Sequence, residues 1–185
     1  MEAIDRDNPC GKRDYAIILL IARLGLRGAD IRRLEFAGFG LAGNRLFVVQ
    51  AKPGDRVQLP LLKEVGWAVT GYIRHGRPDS DCPQVFLRHL APIGPFSGQE
   101  QLHGILVRHA RVAHVPVSEK RRHGMHSLRH TLAARLMEGG TPAEQIADIL
   151  GHQSVRPAGV YLKSSLGLLS KCALDPDAPA PEVSR

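Results

Sequence analysis

The stretch His126-Ser127-Leu128-Arg129-His130, followed by Leu150-Gly151-His152 and then by Tyr161, decides how the rest of this chain is read. Leu128, Leu132 and Leu136, with Met137, mark one apolar helical face, and Gly139-Gly140 stop that helix as C-terminal glycines do. Arg129 lies off this face, and local structure is expected to aim it outward. With the helix starting near Met125, His126 and Arg129 are neighbours on its first turn, where free backbone N–H groups also favour an anion. Thr141-Pro142-Ala143-Glu144 reads as a capping box that opens a second helix, with Pro at its first position. Ile146, Ile149 and Leu150 bury that helix and Gly151 ends it, which presents His152 just past a terminus. Two His, one Arg and one Tyr at short spacings form an arrangement for holding a phosphate.

Working outward, the 185 residues with 43% hydrophobic content suffice for one substantial domain and make two full domains unexpected. A formal charge of +7 and a pI near 9.8, carried by Arg more than Lys, favour a polyanionic partner, nucleic acid first. Cys10, Cys82 and Cys172 are odd in number and widely spaced, so neither a disulfide framework nor a zinc site is indicated, and a reducing cytoplasm fits. The apolar run Ile17 to Ala22 is too short to span a bilayer, and the N-terminus has no signal-peptide pattern, so a soluble chain is expected.

In chain order, residues 1–12 are polar and contain Asn8-Pro9, which reads as a disordered leader. Asp14 to Leu24 reads as a buried helix broken by Gly25. Leu26-Arg27-Gly28-Ala29-Asp30 opens a short amphipathic helix continued by Ile31 and Leu34, with Asp30 placed to orient the Arg27 guanidinium. Between Phe36 and Leu62 the period turns strand-like: Arg45 to Gln50 and Asp55 to Leu59 flank the turn Ala51-Lys52-Pro53-Gly54, with a short third strand near Gly38. Leu61 to Ile73 is helical. His75 to Gly98 is a Pro- and Gly-rich loop with an apolar island at Val85-Phe86-Leu87. Gln99 to Ala110 is helical, Val112 to His123 is a basic connector, and the Pro- and Ala-rich tail from Asp175 is expected to be disordered. His103, His109, His114 and His123 read as surface residues, His130 as a packing residue, and Trp67 with the other aromatics as core.

With these pieces placed, the chain resembles the catalytic domain of the tyrosine recombinases, the phage-integrase family, from about Asp14 to Leu174. The resemblance rests on Leu24-Gly25-Leu26-Arg27 before an acidic residue, on Lys52 followed by Arg56-Val57-Gln58-Leu59-Pro60-Leu61, on His126-x-x-Arg129-His130, on Leu150-Gly151-His152 and on Tyr161. Each piece is weak alone, and the ordered set is specific. It implies a mixed α+β fold, mainly α-helical, with a small antiparallel β-sheet carrying Lys52. The implied domain covers residues 13–174, between the leader and a tail at 175–185.

The resemblance also implies a chemistry, DNA strand cleavage and rejoining through a 3′-phosphotyrosine in site-specific recombination or integration of a mobile element. Arg27 and Arg129 would clamp the non-bridging phosphate oxygens and Tyr161 would be the nucleophile. His126 would act as base, His152 would hydrogen-bond the phosphoryl group, and Lys52 would protonate the leaving 5′ oxygen. No metal or other cofactor is implied. His126 and His130 have zinc-like spacing, yet Ser127 stands where the zinc-protease motif needs Glu. Double-stranded DNA is the implied partner, bound by a homo-oligomer that forms a tetrameric synapse. Family members usually carry an N-terminal arm that closes a clamp on DNA, and only a dozen residues precede the matching region, so the chain looks like half a clamp whose arm would be a separate domain. In two departures, Asp30 replaces the commoner Glu, and Gln153 to Gly159 lacks the paired threonines often seen there. Two other readings use the same residues: a non-catalytic DNA-binding remnant or regulator, and a type IB-like topoisomerase.

Overall fold

The computed structural model describes residues 1–40, 43–49, 56–97, 102–115 and 125–150. The organising element is α1, Pro9–Leu24, whose buried residues run from Ala16 through Ile21 to Leu24. A helix apolar on nearly all sides needs cover on all sides. Here α3 (Lys63–His75) and α5 (Met125–Glu138) both pack on it. The expected leader to residue 12 is corrected, because α1 starts at Pro9 and Ile4 is already buried in the core. The physical reason lies in Asn8-Pro9. Asn8 accepts a hydrogen bond from Gly11 N–H at 2.7 Å and Pro occupies the first helical turn, a pairing that starts helices as well as turns.

At its other end α1 stops at Gly25, which adopts φ 64°, ψ 24° and donates its N–H to Ile21 O at 2.9 Å. Only glycine takes this left-handed conformation at little cost. The position is also crowded, since a Cβ there would stand 2.6 Å from Leu150 Cδ2 and 3.1 Å from Leu132 Cδ2. Gly25→Ala is therefore expected to destabilise the chain by about 2–4 kcal/mol, combining backbone strain with overpacking. A denaturant midpoint equal to the parent's would reject this.

After α1 come α2 (Gly28–Arg32), a 3-10 turn at Phe36–Gly38, and a three-stranded antiparallel sheet in the order β1-β2-β3 (Phe39–Gly40, Arg45–Val49, Arg56–Pro60). The register sets Leu46 opposite Leu59 and Val48 opposite Val57. Leu46, Val48 and Leu59 are buried while Arg45, Phe47 and Val49 face out, the alternation of a sheet with one covered face. The strands and their antiparallel pairing match the sequence expectation. Lys52, between β2 and β3 in sequence, lies outside the described residues, as does the expected turn Ala51-Lys52-Pro53-Gly54.

The segment after α3 is more ordered than its composition suggests. Arg77 donates to the carbonyls of Cys82 (2.7 Å), Gln84 (3.0 Å) and Val85 (3.2 Å). Its guanidinium thus supplies the loop with the hydrogen bonds that a strand partner would otherwise give. Val85, Phe86 and Leu87 are fully buried, and Phe86 stacks on Tyr72 at 5.5 Å. A two-stranded ladder, β4 (Leu87–Arg88) with β5 (Gly94–Pro95), follows.

Helix α4 (His103–Val112) is tied to α1 by a buried carboxylate. Asp14 accepts from Arg13 at 2.8 and 2.9 Å on one oxygen, while the other meets His109 Nε2 at 2.9 Å and the Arg108 guanidinium. Arg13 also donates to Leu87 O at 3.1 Å. A buried carboxylate persists only when paired in this way. His109 is thus an internal tether, which corrects its assignment to the surface, whereas His103 and His114 are exposed. His123 lies outside the described residues.

Helices α5 and α6 (Ala143–Ile149) make a smaller second cluster from Leu132, Leu136, Ile146, Ile149 and Leu150. Met125 and Leu128, at the start of α5, pack instead against the main core. Met137, expected on the apolar face, is 61% exposed, and His130 and Trp67 are likewise solvent-facing rather than packed. Period alone marks these positions as helical, and the width of the covering surface decides which are buried. Among the described residues no helix is long and apolar enough to cross a membrane.

Candidate phosphate-binding site

Arg27 and Arg129 are brought together by the end of α1. After Gly25 turns the chain, Leu26 is buried and Arg27 stands at the N-cap of α2 in extended backbone (φ −77°, ψ 147°), half-buried. Its carbonyl accepts from Asp30 N–H at 2.9 Å and Ile31 N–H at 3.1 Å, which fixes the backbone from which the guanidinium projects.

Arg129 approaches from α5 and is only 8% exposed, so the expectation that it faces outward is corrected. A guanidinium tolerates burial when its donors are satisfied. Here Nη1 donates to Gly25 O and Nη2 to Leu150 O. One side chain therefore ties the turn before Arg27 to the residue that precedes Gly151-His152.

The Arg27 charge acts on Arg129. Burial first, and then the Arg27 charge, lower the Arg129 pKa against the raising effect of the Asp30 carboxylate, to about 10 in all. The side chain stays cationic at neutral pH. Asp30 is itself buried, 3.6 Å from Arg33 Nη2, and its Oδ1 accepts no hydrogen bond from a described residue. The site thus holds two like charges close together in partial burial, a state that a bound anion stabilises.

His126 lies on the first turn of α5, three residues before Arg129, and is exposed. Three of the six residues singled out from sequence are thus placed, and Arg27 and Arg129 both lie at the Gly25 turn, Arg27 two residues after it and Arg129 donating to its carbonyl. Lys52, His152 and Tyr161 lie outside the described residues. Sequence reasoning missed the part played by the Gly25 and Leu150 carbonyls. Gly25 was visible as a helix breaker, but no local signal tells which distant donor its carbonyl meets.

The sequence matches the profile described as "Phage integrase family" over residues 1–166. The chain belongs to the phage integrase family. One relative in the family is y4rA of Sinorhizobium fredii (strain NBRC 101917 / NGR234), named as an integrase/recombinase, with 38% identity over 94% of this chain and 41% of its own length. Two solved structures share the phage integrase fold. XerA recombinase is 21% identical with a TM-score of 0.66, covering 91% of this chain and 55% of its own. The Tn1549 transposon integrase, in complex with circular intermediate DNA, is 17% identical with a TM-score of 0.63, covering 86% of this chain and 59% of its own. The chain spans about two fifths of y4rA and of y4rF (40%), and 88% of y4gC, a third relative from the same organism. The mainly helical fold with small antiparallel sheets is that of the catalytic domain expected from the sequence.

Proposed function

We propose that this chain cleaves and rejoins DNA strands in site-specific recombination or integration, through a covalent 3′-phosphotyrosyl intermediate. The observation that carries it is the Arg27–Arg129 pair, gathered at the Gly25 turn by the bond from Arg129 to the Gly25 carbonyl, in a member of the phage integrase family. Such a pair suits a single phosphodiester, whose two non-bridging oxygens take charge-assisted hydrogen bonds that strengthen as charge builds in the transition state.

In the proposed step Tyr161 Oη attacks phosphorus and its proton passes to His126. The bond from phosphorus to the 5′ oxygen breaks, and Lys52 supplies the proton that this oxygen takes up. His152 steadies the phosphoryl group. The new bond joins Tyr161 to the 3′ phosphate, and attack by a 5′ hydroxyl from another strand reverses the step without ATP. The formal charge of +7 suits a double-stranded DNA partner. A homo-oligomer on DNA, tetrameric at the synapse, and a separate arm domain belong to the same proposal.

The test is a suicide substrate, a duplex nicked just beyond the scissile phosphate so that the short 5′-hydroxyl fragment diffuses away. A covalent adduct that survives denaturation and is lost on protease treatment is expected. Its absence on cognate ends would overturn the proposal.

A further inference from the structure

On the side of α3 turned away from α1, the chain's single tryptophan, Trp67, is 75% exposed. Lys63, Trp67, Thr70 and Arg74 recur at helical spacing on one stripe, and Val65, Val69 and Tyr72 fill the opposite, buried face. Gly66 and Gly71 flank the indole. A Cβ at Gly71 would meet nothing within 4 Å, so steric crowding does not require glycine there. Glycine inside a helix costs about 1 kcal/mol relative to Ala, and an exposed indole adds nothing to the core. Both features weaken the isolated fold and favour contact, because the indole is a large flat anchor and the side chain missing at Gly71 admits a close backbone, whereas Gly66 faces Leu61.

Charge selects the occupant. Lys63 and Arg74 are exposed and unpaired among the described residues, while Glu64 is taken by Arg23 at 2.7 Å. Eleven positions apart on the helix, they stand about 16 Å from each other along its axis, at ~1.5 Å per residue. We propose that this face docks an acidic amphipathic helix of a partner protein, with carboxylates at both ends of a small-residue stripe seated over Trp67. A second copy fits badly, since antiparallel pairing sets Lys63 against Arg74, parallel pairing sets like on like, and each chain carries +7. A DNA backbone fits badly as well, because phosphates engage the cations and leave the indole wet.

Because Trp67 is the only tryptophan, its emission reports on this face alone. The probe is a synthetic helical peptide with Glu pairs eleven positions apart and Ala and Leu between them, against a control with Lys at those positions. The acidic peptide is expected to shift the emission to the blue and reduce acrylamide quenching by about twofold or more as the anchor is desolvated, and the Lys peptide to do neither. A chain carrying both Lys63→Glu and Arg74→Glu should exchange these preferences, since surface changes leave the fold intact. Four results would each overturn the proposal: no protection by the acidic peptide up to about 1 mM, an indole already shielded in the free chain at every dilution, shielding that grows with chain concentration, or equal protection by duplex DNA.

Discussion

A Tyr161→Phe chain is expected to bind duplex DNA as the parent does and to form no covalent adduct on the nicked substrate. The substitution removes one oxygen, the proposed nucleophile, and leaves the phosphate-binding cations in place, so chemistry is lost without affinity. The structure sharpens this expectation by disposing of the other two tyrosines. Tyr72 is fully buried, its hydroxyl accepts from Leu87 N–H at 3.3 Å and lies 3.3 Å from His89 Nε2, and burial raises its pKa. Tyr15 lies under the Arg6 guanidinium at 4.9 Å, on α1. Neither can stand in, so Tyr72→Phe and Tyr15→Phe chains that fold should keep the adduct. Denaturing electrophoresis of labelled DNA decides it, and an adduct persisting in Tyr161→Phe would remove Tyr161 from the mechanism.

Arg129→Lys should lose cleavage by about 10²-fold or more, the usual cost of one oriented charge contact in a preorganised site. Lysine keeps the charge and loses the fork. Nη1 and Nη2 of Arg129 reach the carbonyls of Gly25 and Leu150 together, and a single ammonium cannot span both while still facing a phosphate. Leaving these acceptors short of a charged donor costs about 1.5–3 kcal/mol in stability as well. The two effects separate if single-turnover cleavage is measured at a temperature where circular dichroism shows both chains folded. Parent-like cleavage by Arg129→Lys would mean that the guanidinium only braces the fold.

Much of the architecture was legible because the relevant signals are local. The α3, α5 and α6 helices follow from apolar spacing, and the β2–β3 hairpin from alternation around a Pro-Gly turn. What could not be read depends on partners far along the chain. Arg129 looks like a surface residue on its own helix, and only the meeting of Gly25 and Leu150 around it makes burial tolerable. His109 needs Asp14, 95 residues away, to become internal. Arg77 turns a Pro-rich loop into ordered chain by donating to carbonyls that composition cannot locate. Asn8-Pro9 was readable and was given the wrong sense, since the same pair opens a turn or a helix. Of the candidate site, the order and spacing of Arg27, His126 and Arg129 were visible, whereas the action of the Arg27 charge on Arg129 was not.

The division of apolar side chains into a large core around α1 and a five-residue cluster between α5 and α6 carries a consequence for how the molecule opens. Cooperative units unfold at free energies set by their own burial, and the smaller one gives way first. Amides of α6 and of the C-terminal half of α5, where this cluster lies, are expected to exchange with solvent through sub-global openings that leave those of α1 protected, while the start of α5 stays with the main core through Met125 and Leu128. Arg129 lies on the seam, with Leu150 as its partner on the weaker side. Each such opening would release the Leu150 carbonyl from the Arg129 guanidinium. The Arg129 guanidinium would then lose one of its two carbonyl partners by the opening of a two-helix unit, without unfolding of the whole domain.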